Sequence, residues 1–235
     1  MYQKIGVIGA MEEEIRLLRQ QMQEVVVTNK YQFVFYQGKL NQQNIVLVQS
    51  GIGKVNASLS VALLIELFNV DFVINTGTAG AVDPGLKVGD LVIAQSLIHH
   101  DVDVTGFGYK KGQMAGMPEQ YYPDSQAIQI AKEVARRQGL DPILAQIASA
   151  DEFVNNQARI ETIRKEFPIV RAVEMESAAI AQACHVLGKP YLIIRCISDS
   201  ADEEANMNFD EFLVLAGGIS AKIVQEILGK LYLLK

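Results

Sequence analysis

Acidic side chains recur in this sequence directly after runs of apolar residues. Three glutamates, 12–14, follow the apolar segment 4–10; Glu174 and Glu176 follow 169–173; and Asp199 follows 191–198. Carboxylates near a low-dielectric interior can act as general acids or bases, because burial and neighbouring charge move their pKa values. Basic residues are scarce at the same positions, with Lys54 and Arg195 as the exceptions. The pattern predicts proton transfer on a neutral or cationic ligand.

Each acidic cluster also has a structural explanation. Glutamates in a first helical turn are favoured by the helix dipole, Asp199 could cap a helix or turn, and Glu174 with Glu176 could mark a helix start. What favours a functional interpretation is their shared placement at the ends of predicted strands.

The elements that must position these residues alternate between strands and helices. Apolar, β-branched runs predict strands, and runs with helical periodicity predict helices between them. The strands are predicted at 4–10, 44–50, 71–75, 90–99, 143–150 and 191–198, with a hairpin of 24–28 and 31–38 around Asn29. The helices are predicted at 12–21, 55–68, 125–138, 157–166, 176–187 and 208–228. This order predicts a single α/β domain over residues 1–235, a three-layer α/β/α arrangement around a mixed sheet, with ligands at the carboxyl ends of the strands.

Composition excludes several classes of function. The chain has 235 residues and a net charge of −6, and an acidic protein is a poor partner for nucleic acid or an anionic membrane. No signal peptide and no membrane-spanning helix are expected. Cys184 and Cys196 have no second cysteine at metal or redox spacing, which favours reduced thiols in the cytoplasm.

Motifs for phosphate or metal binding are incomplete. Residues 50–54, Ser-Gly-Ile-Gly-Lys, lack the earlier glycine and the following Ser or Thr of a phosphate-binding loop. His99 and His100 could offer metal ligands, but neighbours on a strand point to opposite faces. We expect them to form a hydrogen-bonded structural cluster at a subunit contact, and we expect no metal site there. The glycine-rich segment 100–122 is long for a plain connection, which favours a lid or a subunit contact.

Five motifs together resemble the bacterial 5′-methylthioadenosine/S-adenosylhomocysteine nucleosidases. They are Gly-Ala-Met-Glu-Glu-Glu at 9–14, Ser-Gly-Ile-Gly-Lys at 50–54, Asn-Thr-Gly-Thr-Ala-Gly at 75–80, Val-Glu-Met-Glu at 173–176 and Arg-Cys-Ile-Ser-Asp at 195–199. The similarity runs through essentially the whole chain in the same order. It implies a nucleoside phosphorylase fold, a homodimer, no metal or organic cofactor, and adenine thionucleosides as small-molecule substrates.

The resemblance also implies roles for individual residues. Glu14 would activate the attacking water, Asp199 would protonate adenine N7, and Glu176 would hold the ribose hydroxyls. The remaining positions would shape the pocket: Met11 and Met175 along the ribose, Phe153 stacked on adenine, the Val154 backbone at the adenine edge, Thr78 facing water and ribose, Arg195 and Ser198 beside the acid, Phe209 closing the site, and Phe107 reaching the neighbouring subunit's site.

Two positions depart from the family pattern. Thr78 stands where the family usually has Ser, and Ala115 stands where better-known members have Pro in the wall around the thioalkyl group. The second departure bears on the preference between short and long 5′ substituents.

The chemistry that the resemblance implies needs these residue types. Cleavage of an adenine–ribose bond passes through an oxocarbenium-like state, and protonation at N7 lets adenine leave as a neutral molecule. A carboxylic acid can supply that proton only if its pKa is raised. A carboxylate on the other face polarises water. A phosphorylase of the same fold, another N-ribosyl hydrolase such as one for futalosine, and a non-catalytic nucleoside-binding relative are the alternatives.

Overall fold

The computed structural model describes the backbone of residues 2–199 and 205–231, and the side chains of these ranges except 205–211. The described chain forms nine strands and six α-helices. The strands are β1 Lys4–Gly9, β2 Gln23–Lys30, β3 Phe33–Leu40, β4 Gln43–Gln49, β5 Phe72–Ala81, β6 Leu91–His99, β7 Ile143–Ser149, β8 Val170–Glu174 and β9 Tyr191–Asp199. The helices are α1 Glu12–Gln21, α2 Lys54–Phe68, α3 Ser125–Arg137, α4 Gln157–Glu166, α5 Ser177–Val186 and α6 Ala205–Leu231.

The strands form one mixed sheet in the order β2-β3-β4-β1-β5-β8-β7-β6-β9. Strand β5 also pairs with β9, in parallel, so that β5, β8, β7, β6 and β9 close into a ring. The β2–β3–β4 portion is antiparallel and extends the sheet at its other end. Parallel strands β1, β5 and β9 therefore present their carboxyl ends side by side.

Helices cover both faces of the sheet, which confirms the predicted three-layer arrangement. On one face, Leu18 of α1, Ala131 of α3 and Val224 of α6 share a core cluster with β1 and β5. On the other face, Leu64 of α2 and Ile180 of α5 belong to a second cluster. The sheet is buried on both sides, as expected for strands whose sequences are continuous apolar runs.

Several boundaries differ from the sequence prediction, and strand pairing explains two of them. Strand β5 continues through residues 76–80, beyond its predicted end at residue 75, because its backbone stays paired with β9 from Thr76 to Ala79. The hairpin turns at residues 31–32 and not at Asn29, because Asn29 pairs with Val34 in the ladder. Helix propensity and turn chemistry alone do not reveal such pairings.

Helix α6 is long and apolar enough, at Phe212–Leu231, to cross a membrane by length and composition. Half of that segment is buried within the protein. Ile223, Ile227 and Leu231 of this segment pack in the core cluster that covers β1 and β5. The contacts identify a core helix, which passes the same test of length and hydropathy.

Helix α2 offers a matched pair of leucines that tests this packing. Leu64 is fully buried and Leu67 is 43% exposed. Leu64→Ala is expected to lower the free energy of unfolding by about 2–5 kcal/mol, because it leaves a cavity. Leu67→Ala is expected to change it by less than about 0.5 kcal/mol. Urea unfolding of both variants measures the difference, and equal losses would contradict the assigned packing.

Candidate active site

A cavity of about 520 Å³ lies where the carboxyl ends of β1, β5, β8 and β9 meet. Nine of the residues predicted from the sequence line it: Met11, Glu14, Thr78, Phe153, Val154, Met175, Glu176, Ser198 and Asp199. The lining also includes Ile52, Glu152 and Glu174. The acidic clusters of the sequence therefore converge on one site, as the topology predicted.

Glu14 is held by three backbone amides. Its Oε2 accepts hydrogen bonds from the N–H groups of Ala10 at 2.7 Å and Met11 at 3.1 Å, and its Oε1 accepts one from Thr78 at 3.0 Å. Burial raises the pKa of Glu14, while the charge of Arg195 and these amides act in the opposite direction. The three glutamates do form the first turn of α1, and Glu14, the buried one, accepts a hydrogen bond from the backbone at the helix start and at the same time faces the cavity.

Glu176 lies at the start of α5 and is held from the α2 side. Its Oε1 accepts a hydrogen bond of 2.9 Å from the N–H of Gly53, whose φ of 97° favours glycine. Burial, followed by the negative charge of Glu174, raises the pKa of Glu176 to about 8. Its Oε2 lies 3.7 Å from Nη2 of Arg195. A carboxylate in this position can receive hydrogen bonds from ligand hydroxyls.

Arg195 lies behind the cavity wall with its side chain 1% exposed. Its guanidinium forms an ion pair with Glu174 and donates to Asn75 Oδ1 at 2.7 Å and to Ser177 Oγ. Negative charge from the surrounding glutamates raises the pKa of Arg195 and outweighs the opposing effect of burial. No separate role for Glu174 was predicted from the sequence. Its spacing of two from Glu176, at a strand end, was the available signal.

Gly77 leaves room for this cluster. A Cβ atom at this position would overlap Nη1 of Arg195 and would lie 2.5 Å from Oε1 of Glu14. The absence of a side chain on β5 is therefore a requirement of the site, because any other residue would separate the two groups.

A bulge in β9 turns Asp199 into the cavity. Ala79 pairs with Ile197, but Gly80 pairs with Asp199, so that Ser198 is an extra residue in the ladder. Ser198 and Asp199 both line the cavity, which strict alternation along a strand would prevent. Ser198 Oγ donates to Asp199 Oδ2 at 2.7 Å, and Asp199 is only 2% exposed.

The segment after β7 supplies an apolar wall. Val154 is buried, while Phe153 is 42% exposed at the cavity. Met11 and Met175 line the same space. An aromatic ring beside thioethers can hold a flat heterocycle and an apolar substituent.

Two of the predicted residues that the structure describes, Arg195 and Phe107, do not line the cavity. Arg195 lies behind the wall, as described above. Phe107, in a short 3₁₀ helix at Thr105–Phe107, is 84% exposed and is not among the cavity-lining residues. The side chain of Phe209 lies outside the described residues. Ala115 is exposed within the same long segment as Phe107.

The two neighbouring histidines have different hydrogen-bond partners. His99 Nε2 lies 2.9 Å from Gln182 Oε1, and His100 Nδ1 lies 3.1 Å from Arg159 Nη2. Burial lowers the pKa of both. Within the described ranges, no group of three or more His, Cys, Asp or Glu side chains could hold a metal ion. Their placement at a subunit contact stays a prediction.

Comparison with known proteins agrees with this geometry. Residues 4–229 match the family "Phosphorylase superfamily". A 5′-methylthioadenosine/S-adenosylhomocysteine nucleosidase from Exiguobacterium is 47% identical, over 97% of this chain and 98% of the relative. The crystal structure of the nucleosidase of that name from Neisseria meningitidis, in complex with methylthio-immucillin-A, is 49% identical with a TM-score of 0.95, covering 97% of this chain and 99% of that one.

A futalosine hydrolase from Helicobacter pylori is also similar. It is 37% identical with a TM-score of 0.92, and the match covers 97% of this chain and 98% of that one. Hydrolases with different substrates therefore share this fold. The two nucleosidases described above are more similar in sequence to this chain than the futalosine hydrolase is. The chain belongs to the phosphorylase superfamily and, within it, to the 5′-methylthioadenosine/S-adenosylhomocysteine nucleosidases, which are N-ribosyl hydrolases.

Proposed function

We propose that the protein hydrolyses the N-glycosidic bond of 5′-methylthioadenosine and S-adenosylhomocysteine, and also of 5′-deoxyadenosine, to release adenine and the corresponding ribose. The observation that carries this proposal is the cavity in which Glu14 and Asp199, each 2% exposed, line a common space. No cofactor takes part.

The reaction uses the two carboxyl groups in opposite senses. Asp199 donates a proton to adenine N7 while the bond from N9 to C1′ breaks, so that adenine leaves as a neutral molecule. Water attacks C1′ of the oxocarbenium-like ribosyl group, and Glu14 accepts the proton that the water loses. Three backbone amides fix the direction of the Glu14 carboxylate, and its raised pKa makes it a stronger base than an exposed glutamate.

The remaining residues bind and orient the substrate. Glu176 accepts hydrogen bonds from the ribose hydroxyls, and the negative charge of its ionised form stabilises the developing cation. Phe153 stacks on adenine, the Val154 backbone reads its edge, and Met11 and Met175 pack on the ribose side. Ser198 orients Asp199 through its 2.7 Å hydrogen bond. Thr78 faces the water.

Charge favours water over phosphate as the attacking group. Among the described residues that line the cavity, none is Lys, Arg or His, whereas several are carboxylates. The guanidinium of Arg195 is paired with Glu174 and donates hydrogen bonds to Asn75 and Ser177. A phosphate anion would meet repulsion beside Glu14, which argues against a phosphorylase.

We propose that the active form is a homodimer in which Phe107 enters the partner's site. Ile52, beside the cavity, and Val55 and Leu59, one turn apart on α2, are all exposed in the single chain. Burial of these side chains and of Phe107 by a second copy would remove apolar area from water near the cavity mouth. Two free, buried cysteines are consistent with a cytoplasmic location.

Adenine release should not depend on phosphate. The purified protein, incubated with 5′-methylthioadenosine, is expected to release adenine and methylthioribose at the same rate with and without added phosphate. Chromatography of both products measures this. Release only with phosphate would identify a phosphorylase, and release from futalosine alone would identify the other hydrolase activity.

Asp199→Asn should separate catalysis from binding. We expect kcat to fall by about a hundredfold to ten-thousandfold, because the amide cannot supply the proton to N7. Asp83→Asn removes a carboxylate that pairs with Arg171 away from the cavity and is expected to keep the parent kcat. Parent-like adenine release by Asp199→Asn would refute the assignment of the acid.

Mixed dimers can test whether Phe107 acts on the partner's site. Glu14→Gln and Phe107→Ala are each expected to be impaired alone. Co-expressed with different tags and purified as the mixed dimer, they should recover activity, because one site then combines an intact Glu14 with the partner subunit's Phe107. A mixed dimer as poor as its parents would place Phe107 in its own chain's site or outside catalysis.

A further inference from the structure

Glu174 makes more contacts to the protein than any role in ligand binding requires. Its side chain is 4% exposed. Its Oε2 accepts hydrogen bonds from the N–H of Glu176 at 3.0 Å and the N–H of Ser177 at 2.8 Å, and it pairs with Arg195. Its Oε1 accepts a hydrogen bond from Ser149 Oγ. Both oxygens are therefore engaged within the protein.

Glu176, two residues later, is placed differently. Its Oε1 is held by Gly53, and among the described residues its Oε2 has only the Arg195 guanidinium at 3.7 Å, beyond hydrogen-bond distance. The Glu174 carboxylate fixes the backbone of Glu176 and the guanidinium that faces it. Both glutamates line the cavity, but the protein binds both carboxylate oxygens of Glu174 and only one oxygen of Glu176 within hydrogen-bond distance.

Arg195 extends this arrangement to Glu14. Nη2 of Arg195 binds Glu174. Nη1 of Arg195 and Oε1 of Glu14 both lie in the space that a Cβ atom at Gly77 would occupy. Without the carboxylate of Glu174, the positive charge of the guanidinium would be less compensated and would act more strongly on Glu14 and Glu176. It would also lose its strongest restraint, because charge-assisted hydrogen bonds exceed neutral ones in strength.

We propose that Glu174 is a positioning residue for the hydrolysis. It holds Arg195 and the backbone of Glu176, and its negative charge offsets the positive charge of Arg195 beside Glu14 and Glu176. The proposal rests on the proposed function. Glu174 itself does not touch the reacting atoms. It acts through the ribose-binding carboxylate and through the environment of the base.

The sign of the electrostatic effect follows from the charges around Glu176. Glu14 from α1 and Glu174 from β8 raise its pKa, and Arg195 from β9 lowers it. Glu174→Gln removes one negative charge and leaves the positive charge less compensated. The ionised form of Glu176 becomes more favourable, so its pKa falls below the parent value of about 8.

Kinetics of Glu174→Gln with 5′-methylthioadenosine tests the proposal. We expect kcat/KM to fall by about tenfold to a hundredfold, as for loss of an outer residue that orients a ligand. We also expect the acid limb of the pH profile of kcat/KM to move to lower pH. Glu133→Gln, which breaks ion pairs with Arg137 and Lys230 away from the cavity, is the matched control and should change neither. Glu174→Asp keeps the charge, and its limb should stay at the parent's pH even where its rate falls.

A measurement on the free protein separates this proposal from the proposed function. Carbon-13 NMR titration of labelled glutamate carboxyls, with Glu176→Gln to assign the signal, should show a lower pKa for Glu176 in Glu174→Gln. An unshifted signal, or a pH limb that stays in place, would overturn the positioning role. A parent protein that releases no adenine would refute the proposed function alone, since the titration still decides the role of Glu174.

Discussion

The arrangement of the site depends on one buried cation surrounded by carboxylates. Arg195 is paired with Glu174 and faces Glu14 and Glu176, and these side chains are almost fully removed from water. Burying a charge is costly unless it is paired and hydrogen-bonded. Asn75 and Ser177 complete the shell around the guanidinium. Carboxylates outnumber cations around the cavity: burial raises the pKa of Glu14, and burial together with the negative charges of Glu174 and Glu14 raises the pKa of Glu176.

The closed part of the sheet makes this cluster possible. Because β5 pairs with β9 as far as Ala79, Gly77 lies directly opposite Arg195, and Thr78 can donate its N–H to Glu14. A longer side chain at position 77 would occupy the space of both charged groups. The glycine, the buried arginine and the first-turn glutamate are therefore one structural unit, although they lie on three separate segments of the chain.

The convergence of the acidic residues could be predicted from the hydrophobic pattern, because strand ends are visible in it, whereas the apolar residues of the cavity came only from the family resemblance. Glu14, Glu176 and Asp199 each follow an apolar run, and parallel strands bring such ends to one edge. The role of Glu174 was not visible, since a spacing of two does not say which carboxylate faces the protein. Neither was the extension of β5, because Thr-Gly-Thr-Ala-Gly has the composition of a loop and is made a strand by its partner β9. The proposed contact of Phe107 requires a second copy of the chain, and in the single chain its side chain is exposed.

The same charge distribution links binding to the choice of nucleophile. A neutral adenine nucleoside enters a cavity lined by carboxylates and apolar side chains without a charge penalty, and the cation that develops at C1′ is stabilised by the negative surroundings. Binding of a phosphate dianion in the same cavity would be disfavoured, because it would be repelled by the carboxylates at close range in a low dielectric. If Arg195 were released from Glu174 it could offer an anion site, so in the proposed reaction this ion pair also withholds the charge that phosphorolysis would need. The proposed preference for water would then follow from the pairing of one arginine, without a residue whose role is to reject phosphate.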